Sequence, residues 1–441
     1  MRVTLVSHAS VLIDAGPVRI WTDPWLAGKA FNDSWALLAP AALPDDACAG
    51  IDYLWISHEH ADHFHVPTLR GLPEDLKQRV TVLVRTGDAP KMVEALEAMG
   101  FRTVTPLAHR GRVTLSEGVE AYSYEVGQMD TCLAIIQGGD VVLNVNDAEL
   151  SETDCRLLRQ DLGPCRTVLN QFSIAGYGGH PDRATHLTAQ AARIVDSVVH
   201  DHEALGAEVT IPFASFVYFC REDNRYVNAY ANRPSDIDRA LTAAGGHAVV
   251  LAPGDSYTVG GDHDSSAALA WWDQRFDTVD QQPYDPVEPV PMAEVEEAFR
   301  WRCTQLRTVL PEAVLRWMGP ITAALPDHDE TVRFCVADRS FETVGDDAVA
   351  DVTVNSQPLA FALGHPYGLQ TLGVSARATV RPDASGWRRH RIAFAVANSG
   401  LDLRWRRLVS RSNVRLVVPR ARGGLAQVRY LLRRTTTGSV R

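Results

Sequence analysis

Short runs of Val, Ile and Leu, bounded by Gly, Pro, Asn or Asp, dominate the first part of the chain and indicate β-strands. They are VTLVS, VLIDA, VRIWTD, DYLWIS, VTVLVR, CLAIIQ and DVVLNVND, with EVTIPFASFVYF and HAVVLAP further along. Between them, DAPKMVEALEAMG and HLTAQAARIVDSVVHDHEALG carry apolar residues at helical spacing. Strands that alternate with helices predict the α/β fold class.

The pattern changes near residue 276. The stretch FDTVDQQPYDPVEPVPM is rich in Pro and Asp and is typical of a linker. A helical region, AEVEEAFRWRCTQLRTVLPEAVLRWM, follows, and then come the β-type runs TVRFCVAD, VADVTVN and RIAFAVA. We therefore predict a first domain over residues 1–262, a linker and helix over 263–305, and a smaller C-terminal α+β domain over 306–441.

Composition narrows the class of protein. Hydrophobic residues make up 46% and charged residues 22% of the 441 residues, which is ordinary for a globular protein. The formal net charge of −11 argues against a nucleic-acid partner. We expect no signal peptide and no membrane span, because no apolar run approaches the length of about 18 residues that a span needs. These features predict a cytoplasmic protein.

Neither the cysteines nor the C-terminal arginines indicate a functional site. Seven cysteines are scattered without a CxxC pair, so we expect neither a disulfide framework nor a cysteine-rich zinc site. After Asp402 the chain has no acidic residue while arginines accumulate. We favour a solvated face for this segment over a docking surface for an acidic partner.

Four potential metal ligands follow the strand-like run YLWIS within six residues. They are His58, His60, Asp62 and His63, in the order HxHxDH. In a turning loop after a strand, this spacing can direct the first two to one metal and the last two to a neighbouring metal. Imidazole and carboxylate groups suit zinc, iron or manganese. We interpret His65 as a surface or supporting residue.

A two-metal site needs further ligands from elsewhere in the chain. Asp147 ends the strand-like run VVLNVND and suits a bridging position, although it could instead cap the following segment. Glu125 lies just before the strand that leads to Asp147 and is our preferred ligand there, with Asp130 as the competitor.

Several separated segments resemble a known family. The HxHxDH motif is the signature of the metallo-β-lactamase superfamily, which implies an αββα sandwich. The closer resemblance, over roughly residues 5–262, is to the catalytic domain of CMP-N-acetylneuraminate hydroxylase. It is carried by HASVLID, TDPWLAGKAF, ISHEHADH, MDTC, LNVND, IPFASF and APGDS.

This resemblance implies a dinuclear metal site and oxygen-dependent hydroxylation. It places Asp23 of TDPWL beneath the metals, where a carboxylate would orient a ligand or a water. His180 could substitute for a histidine that hydrolytic members supply, although a plain loop histidine is the better interpretation. Arg225 could pair with an anionic substrate group, and an exposed turn explains it equally well.

Our leading hypothesis is a diiron oxygenase or hydroxylase that acts with dioxygen on a small molecule, such as a sugar nucleotide or an intermediate of specialised metabolism. A carboxylate-rich ligand set suits two iron ions better than two zinc ions, with manganese a further alternative. The rivals are a dizinc hydrolase of a phosphodiester, ester or amide, and a non-catalytic metal-binding protein.

The Rieske domain of the hydroxylase family and the C-terminal domain of this chain lie outside the resemblance. That family carries a Rieske iron–sulfur domain, and this chain has no paired Cys-x-His elements, so we expect a separate electron-transfer protein. The C-terminal domain faintly resembles a sterol-carrier-like fold. We prefer to interpret it as a packing or dimerisation module.

Overall fold

The computed structural model describes residues 1–44, 47–86, 89–127, 129–345, 347–398 and 403. The Arg-rich segment that follows Asp402 lies outside the described residues. Two large sheets, a small sheet and a separate C-terminal sheet account for the strands. None of the described helices combines the length and apolarity that crossing a bilayer requires.

The first large sheet has seven strands and mixes antiparallel and parallel pairs. Residues 18–22, 53–56, 81–85 and 103–107 form its parallel part. In spatial order the strands are Ser256–Thr258, Arg2–Leu5, Val11–Ala15, Val18–Thr22, Tyr53–Ile56, Thr81–Arg85 and Thr103–Leu107.

The second large sheet has six strands, of which three run parallel. In spatial order they are Val209–Phe213, Thr167–Gln171, Asp140–Asn146, Asp130–Gln137, Val119–Val126 and Gly111–Ser116. Because side chains alternate between the faces of a strand, each sheet buries two apolar faces. The inner faces meet in one core, to which Ile13 and Ile20 contribute from the first sheet and Leu133 and Leu169 from the second.

Helices cover both outer faces. Leu69, Leu76 and Leu96 pack on the first sheet, and Cys155 and Leu158 pack on the second. The helices of this part are Ala47–Gly50, Val66–Gly71, Glu74–Arg79, Ala89–Ala98, Glu152–Leu162, Arg183–Leu205, Pro234–Ala243 and Ser266–Asp277, with 3-10 turns at Arg225–Tyr230 and Val279–Gln281. The predicted αββα sandwich is therefore confirmed.

Two of the later strand predictions need correction. The run EVTIPFASFVYF divides at Ala214, whose φ of 53° lies in the left-handed region, into Val209–Phe213 and Val217–Phe219. The second piece pairs in a small sheet with Trp35–Leu37, which pairs in turn with Lys29–Ala30. The run HAVVLAP is not a strand, and only Ala248 forms an isolated bridge, to Thr210. Its valines are buried as irregular chain.

The C-terminal part is α+β, as predicted. Its five strands are, in spatial order, Ser340–Val344, Glu330–Cys335, Pro320–Leu325, Val352–Val354 and Ala378–Val380. Its helices are Met292–Val309, Glu312–Met318, Ser356–Gly364, Gly368–Val374 and Ser385–Asn398. The prediction of a strand for the run RIAFAVA is wrong. This run lies within the last helix, where Trp387, His390 and Phe394 are buried at helical spacing.

The segment 263–305, predicted as a linker and helix, is divided between the two cores. Trp272 and Phe276 of the helix Ser266–Asp277 pack into the core of the first part. Val295 and Phe299 of Met292–Val309 pack into the core of the second part. The packing therefore restricts the connecting chain to the Pro-rich residues just before Met292, and both flanking helices belong to domains.

The two parts are in direct contact. The Nε atom of Arg377 lies 3.0 Å from both carboxylate oxygens of Asp223, and its side chain is only 1% exposed. Asn224 donates a hydrogen bond to the carbonyl of Ser375, and the backbone N–H of Val380 donates to the carbonyl of Gly179. The C-terminal part thus packs against loops of the first part.

Candidate metal centre

Loops at one edge of the sandwich bring the predicted ligands together. Asp23, His58 and Asp147 follow the strands 18–22, 53–56 and 140–146, whose ends meet at this edge. His8 lies in the turn between the first two strands, at the same edge. Two groups of potential ligands result, each with its ligand atoms within 4.8 Å of one another.

The first group comprises His58, His60 and Asp147. The Nε2 atom of His58 lies 2.8 Å from Nδ1 of His60 and 3.5 Å from Oδ2 of Asp147. His58 is fully buried, whereas the other two are partly accessible. Two ring nitrogens and a carboxylate oxygen therefore converge on one point that solvent or substrate can reach.

The second group comprises His8, Asp62 and His63, all buried. Oδ2 of Asp62 lies 3.2 Å from Nε2 of His8 and 3.3 Å from Nε2 of His63. Oδ2 of Asp147 lies 3.5 Å from Nε2 of both His58 and His63, so this carboxylate links the two groups. Asp147 therefore lies between the two groups, and its bridging of two metals stays a prediction.

Asp23 lies beneath the two groups and accepts four hydrogen bonds. Its Oδ1 accepts from the backbone N–H of Ser57 at 2.8 Å. Its Oδ2 accepts from the hydroxyl of Ser57 at 2.7 Å, from Nδ1 of His63 at 2.9 Å and from the amide of Asn146 at 2.7 Å. Asp23 therefore contacts the ligand His63 directly and His58 through Ser57.

These contacts determine the proton positions on two imidazoles. Nδ1 of His63 carries the proton that Asp23 accepts, so Nε2 is the ring nitrogen that faces Asp62 and Asp147. The hydroxyl of Ser57 gives its proton to Asp23 and so accepts from Nδ1 of His58 at 3.0 Å. With Nδ1 engaged on both rings, Nε2 is the atom through which each imidazole would bind a metal, as in other metal-ligating histidines.

The charges of the centre are unbalanced without a cation. Burial lowers the pKa of His58 well below its usual value of 6.5. Burial also acts to lower the pKa of His63, but the carboxylates of Asp62, Asp147 and Asp23 outweigh it and hold that pKa well above 6.5. The carboxylates thus favour a protonated, positively charged His63. A bound metal cation would supply the same compensating positive charge.

The donor set and its unused atoms fit two metal ions. Four imidazoles and two carboxylates are the ligand types of divalent zinc, iron and manganese. Buried polar atoms ordinarily find partners. In this centre, Nδ1 of His8, Oδ1 of Asp62 and Oδ1 of Asp147 are buried without a hydrogen-bond partner.

Glu125, the preferred additional ligand, lies outside both groups. Its carboxylate faces Arg85 at 3.6 Å, and its backbone N–H donates to Nδ1 of His109. The competitor Asp130 is close enough to the centre for its pKa to respond to the charge of Asp147. Burial, followed by the negative charge of Asp147, raises the pKa of Asp130 to about 8. Glu125, which sequence order alone placed at the metals, is instead paired with Arg85.

Three weaker candidates are engaged elsewhere. His65 is buried rather than on the surface, and its side chain accepts from the backbone N–H of Thr68, capping the helix Val66–Gly71. The ring of His180 stacks on that of His186 with centroids 3.5 Å apart. Arg225 lies 3.6 Å from Asp280 and stacks over Tyr284.

The sequence prediction missed His8, Ser57 and Asn146. His8 was included only in the HASVLID segment, because an isolated histidine between two strands has no ligand neighbour in sequence. Strand pairing brings it to the centre. The positive φ angles of Asp23 (36°) and Asn146 (64°) mark strained positions of the kind that cluster at functional sites.

Comparisons with known proteins identify several proteins to which this chain is similar. A profile of the beta-lactamase superfamily domain matches residues 2–153. The cytidine monophosphate-N-acetylneuraminic acid hydroxylase of Danio rerio is 32% identical over 158 residues, which are 33% of this chain and 25% of the relative. A candidate Rieske 2Fe-2S iron-sulfur protein of Mycobacterium tuberculosis is 25% identical over 257 residues, which are 54% of this chain and 48% of the relative.

The chain spans a quarter to about half of the length of these relatives. Among solved structures, CmlA, a diiron beta-hydroxylase from Streptomyces venezuelae, is 19% identical with a TM-score of 0.40, covering 58% of this chain and 53% of that one. The profile match covers the strands and loops that carry every member of the two ligand groups. Over residues 2–153, this chain is therefore similar to the metallo-β-lactamase superfamily.

Proposed function

We propose that this chain is a dimetal hydroxylase that uses dioxygen to oxidise a small molecule and holds two iron ions. The observation that carries the proposal is the pair of ligand groups joined by Asp147. Similarity to the hydroxylases, which extends beyond the HxHxDH motif, supports the direction of the chemistry. A sugar nucleotide is the first substrate class to test, because that is what those relatives are named for.

His58, His60 and Asp147 would hold one metal, and His8, Asp62 and His63 the other, with Asp147 shared. Two irons held there would supply oxidation of a substrate bond by dioxygen, whereas two zinc ions would supply activation of water for hydrolysis. The protein orients the ligands through Asp23 and Ser57. It excludes water from the second group, whose three residues are buried.

Electrons for the oxidative reaction would come from a separate iron–sulfur protein. The similarity to a protein described as a candidate Rieske protein supports this partner class. The prediction is that a reduced 2Fe-2S protein sustains turnover.

A dizinc hydrolase is the second candidate, and His8 favours it. Its imidazole brings the total to four histidines and two aspartates, which weakens the argument that a carboxylate-rich set selects iron. Zinc is bound by comparable histidine and carboxylate sets.

The deciding experiment is elemental analysis of protein purified without oxygen, followed by Mössbauer spectroscopy before and after exposure to air. We expect about two irons per chain, a spectral change in air, and oxygen uptake with reductant and substrate. Two tightly held zinc ions with ester or phosphodiester cleavage in air-free buffer would establish the hydrolase instead.

A matched pair of variants separates site effects from general damage. His60→Ala should lose metal and oxygen uptake, whereas His180→Ala, which alters a histidine outside both groups, should keep both. Unchanged activity in His60→Ala would show that the reaction, if any, occurs elsewhere.

A further inference from the structure

We propose a second type of metal site, a thiolate-containing zinc site on the outer face of the second large sheet, formed by Cys155, His200 and Asp201. Their ligand atoms lie within 4.8 Å of one another. Cys155 lies in the helix Glu152–Leu162, and the other two lie near the end of Arg183–Leu205. The site is therefore formed between two helices and is separate from the dimetal centre.

A buried carboxylate without a positively charged partner motivates the proposal. Asp201 is 1% exposed, and no Lys or Arg within the described residues forms an ion pair with it. Its Oδ1 lies 3.6 Å from the thiol sulfur of Cys155, and its Oδ2 accepts from the amide of Asn170 at 2.8 Å. Buried carboxylates are ordinarily paired with a cation or bound to a metal.

The surroundings meet the requirements of a zinc ligand set. A thiolate sulfur, an imidazole nitrogen and a carboxylate oxygen are the ligands of borderline-soft divalent zinc. Asn170 holds the carboxylate in place, as groups that support metal ligands do. His200 is exposed, so an ion can enter from solvent. Binding would release the thiol proton of Cys155 to water and leave a water as fourth ligand.

Such an ion would join the two helices. Cys155 packs in the apolar layer that also contains Leu158 and Leu205, one from each helix. The ion would add a link at the exposed margin of that layer, and its expected effect is a higher unfolding temperature in zinc.

The test uses the full-length protein, stripped of metal by a chelator and titrated with Cd²⁺. Cadmium bound to a thiolate gives an ultraviolet charge-transfer band, and the dimetal groups contain no cysteine, so the band does not report the dimetal centre. We expect one thiolate-bound cadmium per chain. Cys155→Ser should abolish the band, and Cys48→Ser, a control at a partly buried cysteine, should leave it unchanged.

His200→Ala provides the test if Cys155→Ser fails to fold, because an exposed side chain can be truncated without damage to the core. The Kd for cadmium should rise at least about tenfold, since even the loss of a supporting group costs that much. No band in the unaltered protein, a band lost in Cys48→Ser, or an unchanged Kd in His200→Ala would each overturn the proposal.

Discussion

Asp23 connects the strands of the first sheet to both groups of candidate metal ligands. Its two oxygens accept hydrogen bonds from Ser57, His63 and Asn146. It is fully buried with a φ of 36°, a backbone conformation that costs about 1–3 kcal/mol in non-glycine residues. Surrounding hydrogen bonds hold this strained residue in place, so its side chain is pre-oriented for the imidazoles.

Replacement of Asp23 should weaken metal binding without removing a ligand. We expect Asp23→Asn to lower metal affinity by about 10–100-fold, because the amide nitrogen cannot accept the proton of His63. Competition with a chromogenic chelator measures this. Asp14→Asn, at a partly exposed residue that pairs with Arg19, is the control and should retain full affinity. Equal affinities in the two variants would contradict the supporting role.

His8 and His65 provide a contrast between two buried histidines. We expect His8→Ala to retain about one metal per chain instead of two, because His8 belongs to the second group. His65→Ala should retain both metals but lose about 1–2 kcal/mol of unfolding free energy, because it removes a helix cap. Elemental analysis and urea unfolding distinguish the outcomes. Full metal content in His8→Ala would exclude it as a ligand.

Metal uptake should release a proton from His63 at neutral pH. The pKa of His63 in the folded protein lies well above its usual value of 6.5, so its charge stabilises the metal-free protein fully below pH 6.5. That contribution is lost as the pH rises through the raised pKa. Metal affinity should therefore increase with pH, and calorimetry in buffers of different ionisation enthalpy should detect about one released proton per chain at pH 7. His58, whose pKa is lowered, should release none.

At the scale of elements, local pattern predicted the strands of the sandwich better than those that follow it. The seven early strand runs are strands because each alternates or continues apolar residues between turn formers. The strand prediction for RIAFAVA failed because its β-branched and aromatic residues also satisfy helical spacing when the preceding residues, from Ser385, are included. Glu125 failed for a different reason, because the position of Arg85 depends on packing between the sheets.

Truncation of side chains in Ser385–Asn398 can distinguish the helix from the strand that was predicted for part of this segment. Phe394 is 2% exposed, and we expect Phe394→Ala to cost about 3–5 kcal/mol of unfolding free energy. Arg388→Ala, on the exposed face, should change it by less than about 0.5 kcal/mol. In a strand, Ile392 and Val396 would share the face of Phe394, so equal losses on truncating all three would contradict the helix.

At the scale of the whole molecule, a buried ion pair joins the two parts. Asp223 also accepts a hydrogen bond from Asn355, so one carboxylate contacts two residues of the C-terminal part. Sequence analysis could predict two domains from the Pro-rich segment, but not this contact. The paired residues are 154 positions apart, and each appears in an ordinary polar loop.

Breaking this pair should destabilise the protein strongly. We expect Asp223→Asn to cost about 3–5 kcal/mol, because it leaves the guanidinium of Arg377 buried without a compensating charge. Asp280→Asn, which breaks the exposed pair with Arg225, should cost less than about 1 kcal/mol. Urea denaturation of both variants measures the difference, and similar losses would show that burial of Arg377 is unimportant.

The approach of Gly179 to the C-terminal part restricts how these domains can be recombined. With a φ of 86°, Gly179 lies so close to Ala378 that an added Cβ would be 2.2 Å from its carbonyl oxygen. Gly176 similarly lies against Val374. A chimera that joins another sandwich to this C-terminal part must therefore keep a glycine at both positions of that loop, because a Cβ there would collide with residues 374 and 378.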